Sequence, residues 1–365
     1  MTLCNNPFRH GRVRMGICVA IGVAITVNAW AQSAPQNALR LNDEGNAASD
    51  AIDYATAAVK YKEASELWRS LGPQYRAHLA GTLMNLGSVL CGLGKRAEGA
   101  TAFVEALALH RETLGPRHHR TVMNMTLLAS DYLMLGELAK AEAILDEALP
   151  IARADFPNDI QTARCLEIQS GVLNRHGKLA ESVAPAEEAL SVAIRLAGED
   201  GLETALAYAT AAEAHRSNGR NDRALPLYRK AHALYEKTLG PEHPRVASLW
   251  GQEGLIEMQD GKLSTAERSM LKSISLLNKS CPNCWVELAV AHNNLGLLRL
   301  AQKRWADADE SLTRSMELRE KFSSGDSMEL ASSIESLAYA RKMLHRDADA
   351  DRLAKRAAGI MTNFR

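Results

Sequence analysis

Cys281 and Cys284, in the stretch KSCPNCWVEL, are separated by two residues, a spacing shared by redox dithiols, haem-attachment sequences and half of a zinc site. A dithiol oxidoreductase would place the pair at a strand-to-helix junction, and no strand pattern lies near it. Haem attachment needs His after the second Cys, where Trp285 stands. A zinc site needs a second pair, and Cys91 and Cys165 are far away in sequence. Three states of the pair remain open: a loop-stiffening disulfide formed in an oxidising compartment, two free thiols, or a redox or metal-handling centre. His118-His119, in LGPRHH, and His243, in LGPEHP, are loop histidines with no third ligand close by in sequence, so a solvated turn or a cap suits them better than a metal. LGKR at 93–96 resembles part of a phosphate loop. It lacks the first Gly five residues before Gly94 and the Ser or Thr after Lys95. No catalytic residue, cofactor or metal is expected from these groupings.

The N-terminus reads as an export signal rather than as part of a fold. Arg9, His10, Arg12 and Arg14 precede an apolar run from Met15 to Val27, and Ala29-Trp30-Ala31 has the small-x-small form of a cleavage site. The run is short for a bilayer span; an uncleaved anchor is the alternative. Cleavage would leave residues 32–37 as a short leading segment, in a chain that is exported to the periplasm or secreted. The chain has 43 basic and 43 acidic residues. Without Arg9, Arg12 and Arg14 it would carry 40 against 43, which leaves no electrostatic footprint for nucleic acid and no polybasic membrane patch. Aromatics are only 5%, and strand formers are concentrated nowhere, so packed helices are expected.

The elements that must position these residues come from a repeat. Stepping by 42 residues from Gly261, with one 41-residue step between Gly136 and Gly177, gives turn positions Ile52, Gly94, Gly136, Gly177, Gly219, Gly261, Lys303 and His345. Seven residues before each stand Gly45, Gly87, Ala129, Ser170, Ala212, Gly254, Gly296 and Ala338. Five after each stand Ala57, Gly99, Ala141, Ser182, Ala224, Ala266, Ala308 and Ala350. Twelve after come Ala64, Ala106, Ala148, Ala189, Ala231, Ser273, Ser315 and Ala357. All 24 positions are Gly, Ala or Ser. Two helices approach closely only where one side chain at the crossing is nearly absent, so each unit reads as a helix pair crossing at small residues. Larger residues fill the gaps: Trp250 lies four before Gly254, and Tyr61, Phe103 and Tyr228 lie four after their own small residue.

The pattern resembles the tetratricopeptide repeat, in which the first helix carries a large residue and then Leu-Gly or Leu-Ala, and the second carries Ala, aromatic, Ala. Leu86-Gly87 and Leu295-Gly296 match the first feature; Ala224, Tyr228 and Ala231 match the second. The 42-residue period, LGPEHP at 239–244, LGPRHH at 114–119, LGPQY at 71–75 and Asn293-Asn294-Leu295-Gly296 resemble the longer variety of kinesin light chains and bacterial proteins. Lys303 and His345 in place of the turn Gly, and Ser182 with Ala186 in the fourth repeat, depart from the pattern. The resemblance implies an all-α fold, a right-handed superhelical solenoid of about eight helix-turn-helix repeats over residues 38–365. Pro185, Pro226 and Pro150 fall inside second helices. Pro226 comes early, where a missing amide matters little, and Pro150 comes late, where it should kink or end its helix.

In such repeats the first helices line a concave face. Taking residues six and three before the small residue and one and four after it, the face receives Met84, Ser88, Met123, Thr126 and Leu133, then Arg164, Glu167, Asn174, Glu213 and Arg216, then Leu255, Met258, Asn293, Leu297 and Leu300. This is a groove with apolar, Met-bearing ends and a polar centre, unless the apolar entries are buried between neighbouring first helices. The expected function is a non-catalytic, exported scaffold that takes a peptide or protein partner on this face. No nucleic acid and no membrane insertion after signal cleavage are expected. The alternatives are a periplasmic redox or metal-handling protein using Cys281 and Cys284, and a self-assembling element joined through terminal repeats, where Ile360, Met361 and Phe364 would lie at an open end.

Overall fold

The computed structural model describes residues 33–51, 53–281, 284–322 and 327–362. The signal segment 1–31, the turn position Ile52 and Phe364 lie outside the described residues. Among the described residues the chain is all helical: α1 (33–50), α2 (Tyr54–Ser70), α3 (Arg76–Gly92), α4 (Arg96–Leu114), α5 (His119–Leu135), α6 (Leu138–Asp155), α7 (Ile160–Arg175) and α8 (Leu179–Ala197). It continues with α9 (Leu202–Ser217), α10 (Asn221–Leu239), α11 (Pro244–Gln259), α12 (Leu263–Ser280), α13 (Trp285–Ala301), α14 (Trp305–Phe322), α15 (Met328–Met343) and α16 (Asp347–Thr362). Two compact units divide within α5, one ending at Asn124 and the other starting at Met125.

Inside each pair the same local chemistry ends the first helix. Gly94, Gly136, Gly177, Gly219 and Gly261 take φ between 73° and 78°, and Lys303 and His345 take φ 59°. The amide of each turn residue reaches back three residues, and the next amide reaches back five, as in Lys95 to Leu90 (2.9 Å), Arg304 to Arg299 (2.9 Å) and Arg346 to Arg341 (2.9 Å). That is the left-handed cap that satisfies the orphan carbonyls of a helix end. Lys303 and His345 therefore occupy the same turn without glycine's freedom. Asp53 closes onto Ala48 in the same way (2.9 Å).

The expected crossings are formed by small, buried residues in every repeat; all 24 of the positions named above are buried. A methyl group added at Gly45 would lie 2.7 Å from Tyr61, at Gly87 2.7 Å from Phe103, at Gly254 2.9 Å from Met270 and at Gly296 2.6 Å from Leu312. Each of those side chains stands four residues after the small residue of the partner helix. The fourth repeat solves the crossing differently. Ser170 and Ser182 are both small, and the Ser170 hydroxyl donates to the Ser182 carbonyl at 2.8 Å, so a hydrogen bond takes the place of an interlocked side chain.

The LGP-type prefaces have a structural job. Gly72, Gly115 and Gly240 turn the chain with φ between 88° and 99°. His118 Nδ1 accepts from the Arg120 amide (3.1 Å) and His243 Nδ1 from the Arg245 amide (3.2 Å), so these histidines cap the helices that follow. Three connectors are also tied by a threonine two residues inside the next helix: Thr121 donates to Gly115 O (2.8 Å), Thr162 to Phe156 O (2.7 Å) and Thr204 to Gly198 O (2.6 Å).

One expectation is narrowed and one corrected. Of a kink or an end at Pro150, the end does not occur: α6 runs through Pro150 to Asp155. Pro150 lies on the exposed face, where water can satisfy the carbonyl that loses its amide. Ile360 is not available at an open end: it is 4% exposed in the core of the last repeats, and Met361 packs against that core.

Candidate functional site

Each unit holds a cleft lined chiefly by first helices. In the first unit the cleft encloses about 390 Å³ and is lined by Leu39, Asn42, Trp68, Ala77, His78, Gly81, Thr82, Met84, Asn85, Arg120 and Met123. The bareness of Gly81 opens it, since a methyl group there would meet nothing within 4 Å. Trp68 stacks on Tyr75 (centroids 5.3 Å) and tilts against His78 (4.8 Å), which makes one wall an aromatic ledge. Thr82 donates to Asn42 Oδ1 (3.1 Å) and Asn85 to Asn46 Oδ1 (3.3 Å). These bonds hold the amides in place while leaving part of each amide unused. Trp68 is 1% exposed and its indole Nε1 is buried without a hydrogen-bond partner.

The second unit's cleft encloses about 350 Å³ between α7, α9, α10 and α11, and includes Glu167, Ser170, Asn174, Glu213, Tyr228, Ser248 and Gln252. Glu213 is its fixed centre. It accepts from Arg216 (2.5 and 3.0 Å), from the Tyr228 hydroxyl (2.6 Å) and from Ser217 (3.2 Å), and Ser217 in turn accepts from Asn174 (2.9 Å). Burial raises the Tyr228 hydroxyl well above its ordinary value, and the Glu213 carboxylate raises it further, so the phenol keeps its proton. Burial also pushes Glu167 up to about 8, with Arg164 pulling against it and Glu203 adding to it. At neutral pH this carboxyl is therefore mostly protonated and can both donate and accept a hydrogen bond. Gln252 Oε1 is buried with no partner. Among the described residues no group of three or more His, Cys, Asp or Glu side chains could hold a metal ion, and no helix is long and apolar enough to cross a membrane.

Met84 and Met123 are brought together in the first cleft, and Glu167, Asn174 and Glu213 in the second. Arg216 does not line the second cleft itself but acts on it through Glu213 and Tyr228, and Arg164 pairs with Glu203 at 3.4 Å. Thr126 is a correction: it is 2% exposed, and its hydroxyl lies 3.2 Å from Cys165 Sγ, so it holds α5 to α7 and faces no groove. Leu255 and Met258 pack half-buried against Met270, Leu295 and Leu298, and Asn293 accepts from Ser333 (3.0 Å), so these join neighbouring repeats. Leu297 is half-buried.

The offsets missed Trp68, His78, Gln252 and the Tyr228 hydroxyl. Ser248 was within reach, because it stands six before Gly254 as Arg164 stands six before Ser170. Tyr228 was read only as filler, and its hydroxyl became visible once Glu213 was placed. Cys281 and Cys284 form a disulfide, with Cα atoms 5.3 Å apart, between the C-cap of α12 and the N-cap of α13.

Among curated proteins, the chain is 25% identical over 217 residues to the Arabidopsis thaliana protein KINESIN LIGHT CHAIN-RELATED 1. The match covers 59% of this chain but only 35% of that relative, so the chain spans about a third of its length. Among solved structures, it is similar to a Rap protein complexed with competence and sporulation factor: TM-score 0.64, 15% identity, 84% of this chain and 80% of the other. It is likewise similar to the apo quorum sensor NprR from B. thuringiensis: TM-score 0.63, 15% identity, 89% and 87% covered. At these identities the likeness is one of fold. The tetratricopeptide repeat model matches residues 78–154, 161–237, 203–279 and 287–363, most of the chain, and so the chain belongs to the tetratricopeptide repeat family.

Proposed function

We propose that this protein is a non-catalytic scaffold that holds an extended peptide or a partner's loop against its first-helix clefts. The observation that carries the reading is that each cleft is lined by a residue with a buried polar atom that nothing in the fold satisfies: the Trp68 indole N–H in one and the Gln252 carbonyl oxygen in the other. Buried polar groups are nearly always paired, and a ligand backbone carries both a donor and an acceptor at every residue. Around those atoms stand amides and hydroxyls already oriented by their own hydrogen bonds, the preorganisation that keeps the cost of binding low. The fold is similar to that of the Rap protein complexed with competence and sporulation factor and of a Rap conjugation gene regulator in complex with the Phr* peptide, which supports the reading by analogy.

Export belongs to the same proposal. The basic-then-apolar N-terminus supports it, and so does the Cys281–Cys284 disulfide, a bond at home in an oxidising compartment. The test is affinity capture from periplasmic and extracellular extracts with three proteins: the unsubstituted chain, Gly81→Phe, which fills the first cleft, and Gln252→Leu, which removes the second cleft's acceptor. A partner held by the unsubstituted chain and lost by either variant supports the reading. Equal capture by all three moves the site off the clefts.

A further inference from the structure

α7 and α15 are far apart in the chain, yet their ends meet. Arg175, the last residue of α7, is ion-paired with Glu329 in the first turn of α15, across 154 residues of sequence. Both helices belong to the second unit, as first helices of the fourth and eighth repeats. Along that row α7 packs on α9, α11 on α13 and α13 on α15, whereas α7 and α15 touch at most marginally through their backbones. An ion pair bridges the two ends of the row.

The chemistry of the junction favours closure, but only just. A cation sits at the C-terminal end of one helix and a carboxylate at the N-terminal end of the other, each where the helix dipole welcomes it. Burial, the largest influence, would raise the Glu329 carboxyl, but Arg175, hydrogen bonds from its own backbone and Ser327, and Arg319 together hold the group below its ordinary range. Arg319, on α14, adds a second cation near both, and its Nε is buried without a partner. Arg175 and Glu329 each remain 39% exposed. A pair so open to water holds weakly and reversibly.

We infer that the Arg175–Glu329 pair is a clasp that closes the row of first helices in the second unit, and that it opens and shuts reversibly over the inner cleft between α7 and α11. Asn174, which lines that cleft, is the neighbour of Arg175 in sequence. Opening the clasp widens the approach to it, and closing narrows it. The device is a property of the fold and stands whether or not the cleft takes a peptide.

Pulsed electron spin resonance between labels at Lys178→Cys and Ser332→Cys, both exposed positions, reads the clasp directly in the full chain on a Cys4→Ser, Cys18→Ser and Cys91→Ser background, Cys165 being buried and Cys281 and Cys284 bonded to each other. A short-distance population at low salt is expected, and it should shrink as salt screens the pair. Glu329→Gln should lower the closed-to-open ratio about two- to fivefold. Arg175→Gln should lower it less, because losing Glu329 leaves Arg175 and Arg319 facing each other. The double Gln variant should go no further than Glu329→Gln. A short distance indifferent both to salt and to Glu329→Gln would overturn the inference, since packing would then hold the closure. A long distance at low salt in the unsubstituted chain would overturn it as well. The salt series needs no charge substitution, so it stays decisive even if a variant folds poorly.

Discussion

Gly81 and Gly87 lie on the same helix, α3, and differ in what a methyl group would meet. At Gly87 it would lie 2.7 Å from Phe103 Cε1, 2.8 Å from Cδ1 and 3.0 Å from Cζ, and the ring is only 2% exposed and cannot swing away. At Gly81 it would meet nothing within 4 Å. Replacing Gly by Ala within a helix gains about 0.5–1 kcal/mol from backbone entropy, and that gain is common to both sites. The difference between the two variants therefore isolates the crossing. Overpacking of this kind costs about 1–3 kcal/mol, so Gly87→Ala should be less stable than Gly81→Ala by that amount, while Gly81→Ala should exceed the unsubstituted chain slightly. The assay is native-state hydrogen exchange over peptides of α3 and α4. Since about 1.4 kcal/mol is tenfold in an equilibrium, protection should differ between the variants by roughly fivefold to more than a hundredfold. Equal protection in the two would refute the helix-crossing argument. Gly254→Ala should be milder, because the atom it meets at 2.9 Å belongs to the adaptable Met270.

Three further predictions rest on separate features. Ala224→Leu, at a position 0% exposed beneath Tyr228, should cost about 1–3 kcal/mol; an unchanged denaturation midpoint would refute the register of the fifth repeat. Lys303→Gly should raise stability by about 0.5–1 kcal/mol by relieving a left-handed lysine, whereas Gly219→Ala should lower it although nothing crowds the site; thermal melts distinguish the two signs. His110 and His292 are pushed down to about 4, first by burial and then by neighbouring arginines. Above about pH 6.5 both are neutral in the folded and the unfolded chain. As pH falls from there towards about 4, the unfolded chain binds protons that the native one refuses, and stability is lost. Proton NMR titration of their ring C–H signals should give midpoints near 4, and midpoints near 6.5 would contradict the burial argument.

Much of the fold was legible because it rests on local, repeated constraints. A crossing needs a small residue at a fixed distance from a turn, and those residues can be counted in the sequence even where Lys303 replaces the glycine. The clefts were legible in part. Met84, Glu167 and Glu213 followed from the register, but whether a side chain at a given offset faces open space depends on what its neighbour reaches for. Thr126 was lost to Cys165 in this way, and Asn293 to Ser333. Pro150 left two outcomes open in the sequence, because whether a proline ends its helix depends on whether water reaches the carbonyl it orphans. The Arg175–Glu329 pair had no sequence signal at all, since two residues so distant meet only through the accumulated geometry of the repeats between them.

The fourth repeat, with its two serines, has a mechanical meaning. In a row of linked units whose stability is summed from neighbour to neighbour, strain collects at the link that interlocks least. In the first, second, sixth and seventh repeats an aromatic ring, methionine or leucine is keyed against a bare glycine on the facing helix; between α7 and α8 a hydroxyl bridges Ser170 and Ser182 instead. Pulled along its length, the second unit should yield at this seam before the glycine-keyed sixth and seventh repeats. Arg175 lies five residues beyond Ser170 on the same helix, so the clasp ties this hydrogen-bonded seam to the far end of the row.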